Sequence, residues 1–509
     1  MIVAAGTFTA PSIDWFALAP LLVLLIGGLV LLVAAALTPS WPKHLYAYAT
    51  VAIGLAAMVV AFAQWHAVTR DGPKLLVGNA VSYDHFSLFG IITICIGLCL
   101  SAMVTDDFLR REGMEGPEIY GLYLMAAVGG IVMVMSNDLI VLFLGLETLS
   151  ISLYVLAASN RRRAESQEAG IKYFVLGGFS SAFFLYGIAL IYGGTGSTNF
   201  NKILAAFDSV PLQRKDSLVL VGVALLLVGL GFKVSAAPFH FWAPDVYQGS
   251  PTPVTAFMAS VGKAAAFAAM FRVFVIALPN WKDDWRPVVW ILAVLTLLVG
   301  SISAVVQTNV KRMLAYSSIS HAGFILIGLE AAGHSGASTR SGMPSSMMYL
   351  MIYSVLVIGT FAVVTVVGRT GDGATDLGSF RGLSRQKPWL ATALTVFLLA
   401  QAGVPLTSGF IAKFGVIESA LDEHSYALAI IAMVSAVIGA YLYLRILISV
   451  WLAEPETGDD TREALRIPLS TALAIVLCFG FTLYVGVNPD WLIQASDRVV
   501  LVAVPLAGG

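Results

Sequence analysis

The sequence predicts an all-α polytopic membrane protein of about fourteen transmembrane helices, and three observations predict it. Hydrophobic residues make up 58% of the 509-residue chain. Charged residues make up only 12%, half the roughly 25% of an ordinary soluble domain. Apolar runs long enough to cross a bilayer core follow one another from end to end, with short loops between them. A mean hydropathy of +0.86 leaves more apolar surface than water tolerates, so the solvent must be lipid.

In order, the runs fall at 15–37, 43–66, 81–103, 117–135, 137–158, 168–192, 217–239, 253–277, 286–306, 312–330, 344–369, 387–420, 424–452 and 467–487. The first charge is Asp14, and no Lys or Arg precedes the first run. That pattern predicts a retained membrane anchor and not a signal peptide. The seventh run, GLGFKVSAAPFHFWAP, carries Pro238 near its end. The twelfth, FLLAQAGVPLTSGFIAKFGVIESAL, carries Pro405 in its middle. Proline frees backbone carbonyls and breaks a helix, which lipid permits only where protein or water covers the gap. The two breaks are five runs apart, so their helices should point in opposite directions. Paired broken helices of opposite sense mark an inverted repeat with its site near the midplane. The expected organisation is helices 1–3 over 1–116 and a first five-helix repeat over 117–280. A second, inverted repeat follows over 281–452, then a last helix with a short tail over 453–509.

Loop charges set the orientation. Of the 29 Lys and Arg residues, sixteen fall in the odd-numbered loops and ten in the even-numbered loops and the tail. The bias places both termini outside the cytoplasm. Only Lys233, Lys263 and Lys413 are left inside spans.

Other classes drop out. A net charge of −1 offers no field for nucleic acid. Cys95, Cys99 and Cys478 read as small core hydrophobes, too few for a four-thiolate cluster. His240, His321 and Glu147 stand on different spans without metal-ligand spacing. GGTGST at Gly193 lacks a preceding strand and the dinucleotide spacing. Gly262-Lys263 is followed by Ala264 where a P-loop needs Ser or Thr.

Chemistry therefore concentrates on Glu147, Lys233, Lys263 and Lys413, all far from any span end. Each charge costs roughly 2.5–3.5 kcal/mol at the bilayer centre, so something must offset them. Bland readings exist. Lys233 can snorkel to the headgroups, Lys413 can neutralise carbonyls freed at Pro405, and Glu147 with Lys233 can form a plain ion pair, which stabilises poorly. The functional reading is a row of switchable protonation sites: burial disfavours a charged lysine, and a nearby carboxylate favours it. His240, beyond Pro238, and His321, in YSSISHAGFILIG with Ser317, Ser318 and Ser320, extend the row, since histidine titrates near neutral pH. A satisfied core histidine is the alternative for each.

The segment FKVSAAPFHFWAPDVYQGSPTPVTAFMASVGKAAAF resembles the antiporter-like subunits of respiratory complex I, and within that family it is most similar to the subunit N branch. DVYQGSPTPV is its most specific element. NDLIVLFLGLETLSISLYVL, VKRMLAYSSISHAGFILIGL and GVPLTSGFIAKF resemble that branch's fifth, tenth and twelfth helices. The likeness spans roughly residues 80–450. It implies that Glu147 and Lys233 are the Glu–Lys pair of helices 5 and 7, that Lys263 is the central lysine of helix 8, and that Lys413 is the terminal lysine of helix 12. It also implies a proton-translocating subunit with no redox or cofactor site of its own. NADH, flavin, iron–sulfur clusters and quinone would belong to the parent complex, and the partners would be its other membrane subunits and lipids. The expected location is the bacterial cytoplasmic (inner) membrane. A subunit of a multi-subunit cation/proton antiporter and a non-conducting scaffold are the rivals.

Overall fold

Lipid offers no hydrogen bonds to a backbone, so a chain this apolar can cross it only as helices or a closed barrel. The computed structural model describes residues 13–38, 40–208, 216–335, 342–454 and 465–499, and the chain is helical nearly throughout them. The spans are α1 Ala19–Leu37, α2 His44–Asp71, α3 His85–Glu112, α4 Pro117–Met135, α5 Leu139–Ala157 and α6 Ala164–Thr195. The seventh is split into α7a Asp216–Lys233 and α7b Trp242–Gly249. Then come α8 Thr252–Ala277, α9 Lys282–Val305, α10 Val310–Ser335 and α11 Met343–Val367. The twelfth is split into α12a Pro388–Ala402 and α12b Ser408–Asp422, followed by α13 Tyr426–Trp451 and α14 Leu469–Val487. Every expected span is present, with ends shifted by a few residues and α3 running on to Glu112. Hydropathy did not reveal the hairpin of β1 Lys74–Leu76 with β2 Val81–Tyr83, or the short helices Phe200–Asp208 and Asp490–Asp497.

The helices divide into a core and a rim. The apolar stretches of α8 and α11 are wholly buried, and those of α3 and α10 almost so. Around them, α1, α6 and α13 turn Val33, Phe179 and Val437 outward, as lipid requires. Cys95, Cys99 and Cys478 are buried and free.

Both proline breaks are real, and each is covered by protein. After α7a, Ser235 takes a left-handed φ of 61° and the Ala237–Pro238 peptide is cis. Trp242 Nε1 donates to the freed Phe232 carbonyl at 2.9 Å, and the Ala237 N–H donates to Thr296 Oγ1 of α9 at 2.9 Å. In α12, Gly403 at φ 92° closes the first half. Its N–H reaches the Ala400 carbonyl at 2.9 Å, and the Val404 N–H reaches that of Leu399 at 3.0 Å, a Schellman ending. Gly486 of α14 lies so close to the Leu406 carbonyl that no Cβ fits between them.

The charge count needs one correction. The lysines of the three spans are not the whole set of buried basic groups, because Arg272 and Lys311, counted with the loops, are both fully buried. Their helices begin or end against folded loops and not in water. Arg272 of α8 meets Asp84 at 2.8 Å, Ser87 Oγ at 2.6 Å and the Val134 carbonyl at 2.5 Å. Lys311 of α10 meets Asp372 at 3.1 Å and the Ser250 carbonyl at 2.6 Å. Asp372 also accepts from Arg163 at 3.2 Å and from Thr252 Oγ1 at 2.6 Å. One carboxylate thus ties the loops before α6, α8 and α10 to the loop after α11. Arg214, Lys215, Arg340 and Arg462, also counted for orientation, lie outside the described residues.

Asp372→Ala should strand Lys311 as an unpaired buried charge. A loss of about 3–5 kcal/mol is expected, read as a lower unfolding midpoint of the purified protein. The double substitution Asp372→Leu with Lys311→Met should recover most of it.

Candidate functional site

The site forms where the interrupted helices lean on the core helices. Lys263 lies on α8 directly after a π-helical segment, Met258–Gly262, and a second, Arg272–Ala277, follows a short way on. Such widened turns re-aim a side chain and concentrate at functional positions. Lys263 is buried. Its Nζ donates to Ser318 Oγ of α10 at 2.6 Å and to the Ser318 carbonyl, and it stands 5.9 Å from the centre of the Tyr353 ring.

One turn along α10, His321 is held between two tyrosines. Its Nδ1 is 2.6 Å from Tyr349 OH of α11, and its Nε2 is 3.1 Å from Tyr443 OH of α13. A neutral imidazole has one donor and one acceptor, so one tyrosine donates to it and the other accepts. Tyr443 OH continues to Ser317 Oγ at 2.6 Å, and Ser317 donates to Gln401 Oε1 at 3.4 Å. Gln401 donates to Thr360 Oγ1 at 2.6 Å. His321, Ser317, Tyr443 and Lys413 also line one small polar cavity, with room for about one water.

Lys413, on α12b, reaches back across the break. Its Nζ donates to the Ala402 carbonyl at 3.0 Å and stands 4.9 Å from the centre of the Phe324 ring. The capping reading of this lysine is therefore realised, and it holds alongside a place in the shared cavity.

Lys233 does not snorkel. It ends α7a, is buried, and its Nζ has no hydrogen-bond partner among the described residues. The rings of Tyr154 and Tyr173 flank it, each 5.2 Å away, and Tyr173 stacks on Trp242 at 4.5 Å. Cation–π contact offsets part of the burial cost. Glu147 turns elsewhere: it accepts from Ser181 Oγ of α6 and is only half-buried on the outer face of α5. The two expected partners are thus not bonded to each other, which excludes the plain ion pair in this arrangement. His240 is buried within the break, with its Nδ1 unpartnered and its ring 4.6 Å from Phe241.

The structure therefore gathers Lys263, His321 and Lys413 around α10. It leaves Glu147, Lys233 and His240 as a separate group at the α7 break. Sequence reasoning missed Tyr349, Tyr353, Tyr443 and Gln401. The only signal was polar residues inside apolar runs, and tyrosine is too common there to stand out. No group of His, Cys, Asp and Glu suited to a metal occurs among the described residues.

Comparison with known proteins agrees over nearly the whole length. A family model described as NADH:quinone oxidoreductase/Mrp antiporter, TM, matches residues 136–439. The chain is 38% identical over 482 residues to the NADH-quinone oxidoreductase subunit N of Trichlorobacter lovleyi, across 94% of this chain and 96% of that one. Among solved structures it is similar to a chain of respiratory complex I from Thermus thermophilus with bound aureothin. The identity there is 31% and the TM-score 0.77, over 94% of this chain and 99% of that chain. It is also similar to a chain of the membrane-bound sulfane sulfur reductase, an archaeal respiratory membrane complex. Here the identity is 28% and the TM-score 0.82, over 96% and 98%.

Tyr443→Phe should leave Ser317 and His321 each one partner short. A cost of about 1–3 kcal/mol is expected, read as a lower unfolding temperature in detergent with the helix content unchanged.

Proposed function

The chain belongs to the NADH:quinone oxidoreductase/Mrp antiporter transmembrane family, and on that premise we propose that it moves protons as a membrane subunit of a bacterial respiratory NADH-quinone oxidoreductase. In this reading quinone reduction is carried out by partner subunits. Flavin, iron–sulfur clusters, NADH and quinone are handled there, and this chain carries neither a cofactor nor a redox centre. It sits in the bacterial cytoplasmic membrane with both termini on the non-cytoplasmic side. The blocks 117–280 and 281–452 act as inverted repeats, each contributing one broken helix.

The observation that carries the reading is Lys263. A lysine at the centre of a fully buried helix, bonded to Ser318 and one turn of α10 away from a Tyr–His–Tyr–Ser network, is expensive to keep in lipid, and such a residue is by default a functional one. Protons enter at the α7 break, where Lys233 Nζ, Ser235 Oγ and His240 Nδ1 are buried without a hydrogen-bond partner among the described residues. Such atoms demand water, and water conducts protons to Lys233. From there the proton passes to Lys263, then through His321 and its tyrosines to Lys413. Glu147 acts as the control. Held on Ser181 it stands off Lys233; swung inward it favours the charged lysine. A neighbouring subunit that covers the outer face of α5 sets that position. Moving one charge against 100 mV takes about 2.3 kcal/mol, which the redox partners supply.

Subunits of a cation/proton antiporter share the family, so co-purification separates the readings: iron–sulfur partners support the oxidoreductase, and their absence supports the antiporter. Lys263→Ala should lower the protons moved per NADH oxidised in an assembled, reconstituted complex. Lys263→Arg should do the same, because a guanidinium never gives up its proton. A normal ratio in both variants removes the proton path and leaves a scaffold.

A further inference from the structure

A buried carboxylate beyond the lysine row has no part in the mechanism so far. Glu330 of α10 is 3% exposed, and α10 spans the bilayer between two charged ends. Lys311 is at the Asp372 clamp and His321 is midway. Glu330 comes 19 residues after Lys311, roughly 28 Å along the axis, about the thickness of the hydrocarbon core. Glu330 therefore stands near the membrane face opposite the clamp.

Its surroundings are built for a carboxylate. Ser425 Oγ, just ahead of α13, donates to its two oxygens at 3.0 and 3.2 Å. Glu330 Oε1 is 2.8 Å from His334 Nε2, and His334 Nδ1 is 2.8 Å from Arg286 Nη1 of α9. A guanidinium can only donate, so Nδ1 accepts and Nε2 carries the hydrogen. His334 is then neutral and donates to Glu330. Its side chain is 23% exposed against 3% for Glu330, so the cluster opens to solvent through the histidine.

Lys413 lies on the midplane side of this cluster. Lys413 stands over Phe324, and Glu330 lies six residues further along α10, roughly 9 Å. Ser419, six residues and so roughly 9 Å beyond Lys413 on α12b, donates to Ser345 of α11 at 3.2 Å. A Cβ on Gly415 of α12b would already touch Met348 and Ser345, at 3.4 and 3.5 Å, so a branched side chain there would crowd Ser345.

We propose that Glu330 is the terminal proton acceptor of this chain, taking the proton from Lys413 across the Ser345–Ser419 hydroxyls and releasing it to water beside His334. The ammonium of Lys413 becomes the neutral amine as the Glu330 carboxylate becomes the acid, and the acid then loses the same proton to solvent. Arg286 and His334 hold the carboxylate ready between transfers. The inference rests on the proton path proposed above.

The test uses the assembled complex in reconstituted membranes, with protons moved per NADH oxidised as the readout. Glu330→Gln keeps the hydrogen-bonding shape but cannot carry the proton. It should lower the ratio as much as Lys413→Ala does, the double variant should lose no more than either single one, and Glu330→Asp should restore transport. A normal ratio in Glu330→Gln, or losses that multiply in the double variant, overturns the proposal. If Glu330→Gln does not assemble, Gly415→Val decides, by filling the interval at Ser345: a reduced ratio supports the track and a normal one overturns it. Lys263→Ala is measured in parallel. If it pumps normally the whole proton path fails; if it is impaired while Glu330→Gln is normal, only the terminal acceptor fails.

Discussion

Everything in this fold answers to one constraint: inside lipid, each backbone N–H and C=O must find its partner within the protein. Twelve helices satisfy it by being continuous. The two that are broken satisfy it only with borrowed groups. Thr296 of α9 receives the Ala237 N–H, the Trp242 indole reaches the Phe232 carbonyl, and Lys413 reaches Ala402. Each borrowed group comes from an element placed near the break, so the breaks dictate much of the packing around them. The close approach of Gly486 to the Leu406 carbonyl is the same demand met by removing a side chain.

The polar interior follows from this arrangement. Broken helices bring polar backbone and water-demanding side chains to mid-membrane depth, and the charged residues gather there. Lys233 ends α7a, and Lys413 sits in the first turns of α12b. Lys263 lies between them on an unbroken but locally widened helix. The membrane face holding Asp372 is pinned by several buried ion pairs, with Asp245 adding Lys172 at 2.7 Å and Arg312 at 2.6 Å. The opposite face carries the Glu330 cluster, which opens to solvent at His334, and the buried Arg272–Asp84 pair. Both faces are thus tied by buried ion pairs, which suits a chain whose interior must change its charge without coming apart.

Much of this was legible in the sequence because it rested on short-range signals. A run of apolar residues, a proline inside it, or a charge at its centre can each be read without knowing what lies opposite. That is why the spans, both breaks and the burial of Lys233, Lys263, Lys413 and His321 agree with the pattern. What was not legible depends on partners far apart in the chain. Tyr349 and Tyr443 come to His321 from 28 and 122 residues away, and Asp84 comes to Arg272 from 188. Arg272 and Lys311 looked like loop charges because they sit at the ends of runs. Only the folding of the loops over those ends buries them. Glu147 and Lys233 read as partners from their places in the runs, but side-chain rotation, which no pattern encodes, turns Glu147 to Ser181.

The lysine that closes the α12 break also links electrostatics to mechanics. A hydrogen bond from an ammonium is roughly twice as strong as one from a neutral amine, and the bond from Lys413 to Ala402 bridges the two halves of the helix. A charged Lys413 would therefore tie the second half of α12 to the end of the first more firmly than a neutral one, so the charge on a single nitrogen bears on the stiffness of the joint at Gly403.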